Sequence, residues 1–398
     1  MDQSKLLHSL RRSLALAAVS LIVAGWSPPA AAEPADDGSC CPPARTLAIL
    51  AAGAAPPANN DADANAQAPA HPPADAPPGM VWVPSGEFTM GSDAPGSWSN
   101  EQPPHRVRVD GFWMDRTEVT NAQFAEFVEA TGYVTVAERP VDWEAMKQQV
   151  PPGTAKPPDE MLQPGSLVFA PPAHPVPLDN VGAWWQWTTG ASWRHPGGPG
   201  TSIEGMDDHP AVHIAWDDAA AYAKWAGKRL PTEAQWEYAA RGGLDGARFG
   251  WGETFRPDGK IMANTWDGTF PHRNTLDDGH RLAAPVASYP PNGYGLYDMG
   301  GNIWEWTADW YRDDRHAQLR REGVVVNPGS PDAPLDMANP NAPSRVVKGG
   351  SFLCHVDYCE SYRPSARRGL PTDTGLQHTG FRCVVVPERN DQADAAAP

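Results

Sequence analysis

The sequence predicts an α+β fold that is loop-rich with little regular secondary structure. The 37 glycines and 44 prolines among 398 residues exceed the usual share of roughly 12% and leave little room for long helices or sheets. The 17 tryptophans supply what such a chain otherwise lacks, since large aromatic rings fill the space between irregular segments. Strand-like and helix-like periodicity is confined to a few short stretches, taken below in chain order.

Lys5 to Arg12 is basic, Leu14 to Trp26 is almost wholly apolar, and Ala30-Ala31-Ala32 offers a small-residue cleavage site. Residues 1–32 therefore read as a signal peptide, which predicts an exported, periplasmic or secreted protein. Arg11-Arg12 also permits a twin-arginine route. The apolar run is shorter than the roughly 20 residues of a membrane helix, and no later stretch approaches that length. No membrane association is expected once the signal is removed. Residues 33–78, dominated by Ala, Pro, Asp and Asn, form an expected disordered tether that contains Cys40 and Cys41. The formal charge of −17 would become about −19 without residues 1–32. Such a surface repels nucleic acid and favours cations or basic peptides.

Met80 to Pro84 and Gly86 to Gly91 read as two strands forming a hairpin, and Pro104 to Val109 alternates basic and apolar residues as a half-exposed strand does. Phe112 to Met114 is expected to continue that sheet. Thr120 with Gln123 makes a capping box for a helix that presents Phe124, Phe127 and Val128 and stops at Gly132. Asp217 to Gly227 is a second helix, presenting Ala221, Tyr222 and Trp225. Thr232 with Gln235 caps a third, carrying Trp236 and Tyr238 before Gly242. Between them, Ala137 to Pro199 is a long irregular region, and loops of that length are functional or mobile in compact domains.

Two later stretches are rich in oxygen donors: Asn264-Thr265 with Asp278-Gly279-His280, and LYDMGGNIWEWT with Asp298 and Glu305. Calcium takes six to eight oxygens, but no EF-hand loop is present, and by themselves these acids read as turn formers or solvated charges. The most informative segment is GGSFLCHVDYCESYR, from Gly349 to Arg363, which sets Cys354 and Cys359 five apart. Spacing alone leaves two readings open, a disulfide suited to an exported chain and a soft-metal site. Zinc would need two more ligands, and iron–sulfur clusters usually need four cysteines. Two-coordinate Cu(I) fits the ligand count and leaves room for a third sulfur. No GxSxG elbow or HExxH helix suggests hydrolase chemistry.

That segment, the WAGKRLPTEAQWEY string at Trp225 to Tyr238 and the Trp193 to Pro199 piece together resemble the formylglycine-generating enzymes, the sulfatase-modifying factor family. The resemblance runs from about Gly79 to Val386. It implies a C-type-lectin-like formylglycine-generating-enzyme fold over residues 79–388, followed by a disordered tail at 389–398. It also implies that Cys354 and Cys359 bind Cu(I), that Ser351 and Trp304 line the catalytic pocket, and that Trp193 to Pro199 shapes a substrate groove. Two calcium ions are implied, one held by Asn264, Thr265, Asp278 and His280, the other by Asp298, Gly301, Ile303 and Glu305. The implied reaction uses dioxygen to oxidise the cysteine of a Cys-x-Pro-x-Arg motif in an unfolded sulfatase to Cα-formylglycine, with the enzyme acting as a monomer. The chain departs from the family in three respects, one being the signal peptide, since many bacterial relatives resemble cytosolic proteins. Ala223, Ala240 and Pro364 stand at positions used for disulfides in some members, so Cys383 is expected to be a buried free thiol. His378 stands where well-studied members have a substrate-contacting Asn. The alternative to an enzyme is a non-catalytic lectin-like binding or scaffold module of the same fold.

Overall fold

The computed structural model describes residues 75–150, 153–321 and 323–387, together with Pro72. The expected signal peptide, most of the tether with Cys40 and Cys41, and the tail lie outside the described residues. The strands are β1 Met80–Val83, β2 Gly86–Met90, β3 His105–Val109, β4 Phe112–Asp115, β5 Gly165–Phe169, β6 Trp185–Thr189, β7 Gly268–Thr269, β8 Arg273–Asn274, β9 Trp304–Trp310, β10 Val325–Val326, β11 Ser344–Lys348, β12 Arg368–Pro371, β13 Thr379–Gly380 and β14 Val384–Val385. The α-helices are α1 Asn121–Thr131, α2 Trp143–Met146, α3 Trp216–Trp225, α4 Glu233–Arg241 and α5 Arg315–Arg321. Among the described residues no helix is long and apolar enough to cross a membrane.

The expected hairpin of β1 with β2 does not form. β1 pairs with β4 and β4 with β14, whereas β2 pairs antiparallel with β3 and β3 with β10. Pro84 and Ser85 carry the chain from one sheet to the other, and Gly111 brings it back. A Cβ at Gly111 would stand 2.3 Å from the Trp82 ring, so only glycine lets β4 enter beside β1. Phe112 to Met114 thus joins a different sheet from β3. The exchange is stable because both sheets turn their apolar faces, Val83, Phe88, Met90, Val107, Val109, Phe112 and Met114, onto one core with Trp236 of α4.

The capped helices form where expected. Thr120 Oγ1 accepts the Gln123 N–H at 3.3 Å while Gln123 Oε1 accepts the Thr120 N–H at 3.0 Å, and Gly132 closes α1 at φ 66°. Thr232, Gln235 and Gly242 repeat the arrangement around α4. In α3, Tyr222 is buried but Trp225 is 39% exposed, so Tyr222 carries that helix's packing. The region from Ala137 to Pro199 is tied down by the β5–β6 hairpin, with Leu167 opposite Trp187 and Phe169 opposite Trp185.

The sheet that positions the site runs β12-β11-β9-β13. β9 lies antiparallel to β11 and parallel to β13, with Thr379 opposite Trp304. Buried ion pairs lock this sheet to distant segments. Glu237 takes Lys348 at 3.1 Å and Arg241 at 2.7 Å, Glu233 takes Arg367 at 2.6 Å, and Glu101 takes Arg363 at 2.7 Å. Glu305 of β9 receives Arg382 Nη2 at 2.6 Å on one oxygen and Nε at 2.7 Å on the other. The remaining Arg382 donors reach the carbonyls of Asp115, Arg116 and Tyr297. Removing one partner of such a pair strands a buried charge. Arg382→Leu is therefore expected to lower the unfolding free energy by about 3–5 kcal/mol, read as a shift of the urea midpoint at unchanged slope. A loss below about 1 kcal/mol would show that Glu305 is relaxed elsewhere.

Candidate metal and active site

β11 ends at Lys348 and is followed by Gly349 and Gly350, whose φ values of +90° and +69° favour glycine. A Cβ at Gly350 would stand 2.9 Å from the backbone of Ser361 and Tyr362 and 3.1 Å from Cys354 Sγ. The chain thus passes directly against the first sulfur. Beyond it, the Ser351 carbonyl accepts the Cys354 N–H at 2.8 Å, and the His355 carbonyl accepts those of Tyr358 at 3.0 Å and Cys359 at 2.7 Å. This double turn folds the two cysteines to one side. Both are free thiols, 1% and 0% exposed, so the disulfide alternative is not adopted. Cys383 is likewise free and buried.

The two thiols are electrostatically unequal. Ser351 donates its N–H to Cys354 Sγ at 3.4 Å, and Cys359 Sγ lies 3.3 Å from Ser361 Oγ. Burial, and then the hydrogen bond and charge of Cys359, push Cys354 well above the usual thiol range. Burial also pushes Cys359 up, but the hydrogen bond from Cys354, the positive charge of Arg368 and Ser361 outweigh it and bring Cys359 down to about 7. The pair titrates as a unit, with the thiolate favoured on Cys359 over Cys354.

Aromatic rings close the chamber. Tyr358 stacks on Phe270 at 4.6 Å and meets Trp184 edge-on at 5.4 Å, while Phe270 meets Trp266 at 5.3 Å. Trp304 is buried at the start of β9 and receives the His378 carbonyl on its backbone N–H at 2.8 Å. Ser351 Oγ lies 2.9 Å from His378 Nδ1. His355 Nδ1 accepts the Asp357 N–H at 3.2 Å and lies 3.5 Å from Asp357 Oδ2. In the Trp193 to Pro199 piece, Trp193 is buried against Phe124, and the Pro196 carbonyl takes the Gln377 amide at 2.9 Å, one residue before His378.

Arg368 was not among the sequence candidates. It is buried at the head of β12 and stacks over Trp98 at 3.2 Å to the ring centroid. The signal was available in Arg367-Arg368, two adjacent arginines in an otherwise apolar and small-residue stretch.

Among the described residues no three His, Cys, Asp or Glu side chains are grouped to hold a metal by themselves. Calcium would therefore depend on carbonyl and amide oxygens. At the first proposed site Asn264 Oδ1 and Asp278 Oδ2 are both buried without a hydrogen-bond partner, which fits two oxygens awaiting a cation. Asp278 Oδ1 takes the His280 N–H at 2.9 Å. At the second, Asp298 Oδ2 accepts the Ala287 N–H at 2.7 Å, while Glu305 is committed to Arg382 and to the Trp236 indole at 2.8 Å. Glu118, also missed in the sequence, joins this group with a buried Oε2 that accepts no hydrogen bond and faces Arg382 Nη2 at 4.0 Å. Burial first, then the charge of Asp298, pushes Glu118 up. Ile303 is buried, and Gly301 at φ +84° donates its N–H to the Gly349 carbonyl at 2.8 Å. The donor set fits a cation at the first site better than at the second.

The thiol asymmetry has a direct optical test. Thiolate absorbance of the metal-free protein is expected to rise with a midpoint near pH 7, and Cys354→Ala to move that midpoint upward by removing the thiol that donates to Cys359. Arg368→Gln should move it the same way. A midpoint at or above the ordinary thiol value of about 8.5 in the wild-type protein would contradict the assignment.

Residues 65–387 match the family model for the sulfatase-modifying factor enzyme 1-like domain. The chain is 46% identical over 312 residues to the formylglycine-generating enzyme of Thermomonospora curvata, covering 78% of this chain and 94% of that protein. It is 47% identical over 314 residues to the one from Mycobacterium tuberculosis, covering 77% and 98%. It is also 37% identical over 311 residues to a mouse protein named inactive C-alpha-formylglycine-generating enzyme 2, covering 77% and 85%. The chain belongs to the FGE-sulfatase family and has its mixed, loop-rich fold.

Proposed function

We propose that this protein activates sulfatases by converting the cysteine of a Cys-x-Pro-x-Arg segment to Cα-formylglycine, with Cu(I) between Cys354 and Cys359 and dioxygen as oxidant. The observation that carries this reading is the pair of buried, unbridged thiols packed among aromatic rings. Bound there, copper supplies the one-electron and dioxygen chemistry that side chains lack. Cys354 and Cys359 hold the ion as thiolate ligands. Trp184, Phe270 and Tyr358 keep water from the sulfurs, while Ser351 and Trp304 orient the substrate β-carbon. The thiol-bearing carbon becomes an aldehyde and its sulfur leaves as hydrogen sulfide. Dioxygen takes two electrons from the substrate and two from a pair of small thiols, yielding water and a disulfide.

Likeness at this level also extends to a relative named inactive, so the competing reading is a non-catalytic binding module. Copper-loaded protein, given a Cys-x-Pro-x-Arg peptide, dioxygen and a small thiol, is expected to yield a peptide lighter by about 18 Da. Cys359→Ser should abolish the change, and the wild type should bind about one Cu(I) that Cys354→Ser cannot hold. An untouched peptide, with copper verified in the wild-type site, would favour the binding module. The signal-peptide layout of residues 1–32 supports an exported enzyme that meets its substrate before that chain folds.

Calcium is proposed at Asn264, Thr265, Asp278 and His280 as a staple for that loop, and more weakly at Asp298, Gly301, Ile303 and Glu305, where a cation would have to share Glu305 with Arg382. Added calcium should raise the melting temperature and chelator lower it, and Asp278→Ala should remove most of the response. Equal melting with and without calcium would make these ordinary turn residues.

A further inference from the structure

His378 is held more firmly than a wall residue needs to be. Its carbonyl accepts the Trp304 N–H at 2.8 Å, and its neighbours Gln377 and Thr379 are pinned to Leu167 and Leu376 through their own N–H groups at 3.2 and 3.0 Å. Gln377 also bridges β5 to the Trp193 to Pro199 piece, its Oε1 accepting the Phe169 N–H at 3.0 Å and its Nε2 donating to Pro196 at 2.9 Å. The imidazole meets Trp185 edge-on at 4.9 Å and Phe352 at 6.2 Å. Burial, reinforced by His213, pushes its pKa down to about 3, so the ring stays neutral.

Ser351 stands between this ring and the first sulfur. Its N–H points to Cys354 Sγ at 3.4 Å, and its Oγ takes the Leu353 N–H at 3.2 Å and lies 2.9 Å from His378 Nδ1. One residue thus faces the sulfur with its backbone and the imidazole with its hydroxyl. With both side chains fully buried, no solvent can replace that contact.

We infer that His378 is a positioning residue for the reaction proposed above, its Nδ1 fixing the Ser351 hydroxyl and with it the wall of the Cys354 chamber. The inference rests on that functional reading and acts through Ser351 rather than on the substrate. The terminal polar atoms of asparagine fall near the Nδ1 position of histidine, and those of glutamine near Nε2.

Peptide turnover by copper-loaded variants tests the assignment. His378→Leu is expected to lower kcat roughly tenfold or more with KM within about twofold, as misplacement of a positioning group does. His378→Asn should recover most of the rate, and His378→Gln should not. In a Ser351→Ala background the His378→Leu penalty should vanish, since a residue acting through Ser351 has nothing left to position. Wild-type turnover by His378→Leu, equal rates for Asn and Gln, or a penalty that persists without Ser351 would overturn the inference. Should the wild type leave the peptide untouched, the functional reading fails, and the contact is judged in the resting protein. Ser351→Ala must shift the 15N resonance of His378 Nδ1 in the metal-free protein, and an unchanged resonance would overturn the inference.

Discussion

Everything at the site depends on the Gly349-Gly350 turn, which brings the Gly350 backbone directly against the Cys354 sulfur. Three segments far apart in sequence meet at this turn through main-chain hydrogen bonds. Gly301 donates to Gly349 at 2.8 Å, Phe352 to Asn302 at 2.9 Å, Asn302 to Asn264 at 2.9 Å, and Trp266 to Cys354 at 3.1 Å. Both proposed calcium loops are therefore tied to the cysteine turn by main-chain bonds. A loop-built fold needs such ties, because short strands alone cannot bear the entropy of holding two thiols side by side.

The electrostatics follow from that packing. Two thiols in a dry enclosure would both resist ionisation. A buried guanidinium, Arg368, offsets the penalty on one of them, and the hydrogen bond between the thiols concentrates the effect on Cys359. Trp98 stacks on the Arg368 guanidinium, in a loop that Glu101 fastens to Arg363 at 2.7 Å. The same logic recurs beneath the site, where Arg382 compensates Glu305 among neighbouring carboxylates. Glu101, Glu233, Glu237 and Glu305 are each buried against a cationic side chain that donates hydrogen bonds to them.

Much of this was legible in the sequence, for identifiable reasons. Capping boxes at Thr120 and Thr232 act over three residues, so local chemistry settled α1 and α4 before any tertiary contact was known. The cysteine segment was legible because its turn residues, Gly349, Gly350 and Ser351, sit beside the thiols they position. Strand pairing was not legible. β1 and β2 are separated by only Pro84 and Ser85, which suggests a hairpin, yet each pairs with a strand later in the chain, and both sheets then pack onto one core with Trp236. Arg368 and Glu118 escaped notice because their roles arise from segments that lie far away along the chain, a relation with no periodicity to betray it. The His378 contact with Ser351 spans 27 residues and was visible only as a departure from the family pattern.

The central claim is that two thiolates hold one copper ion and leave it open to a substrate sulfur. X-ray absorption at the copper edge tests it most directly, on the resting protein and again after a Cys-x-Pro-x-Arg peptide is added without dioxygen. The account requires two sulfur scatterers in the resting protein and a third on adding the peptide, with no third appearing for a peptide whose cysteine is replaced by serine. Nitrogen or oxygen ligands at the resting metal, or an unchanged sulfur count with the cysteine peptide, would contradict it.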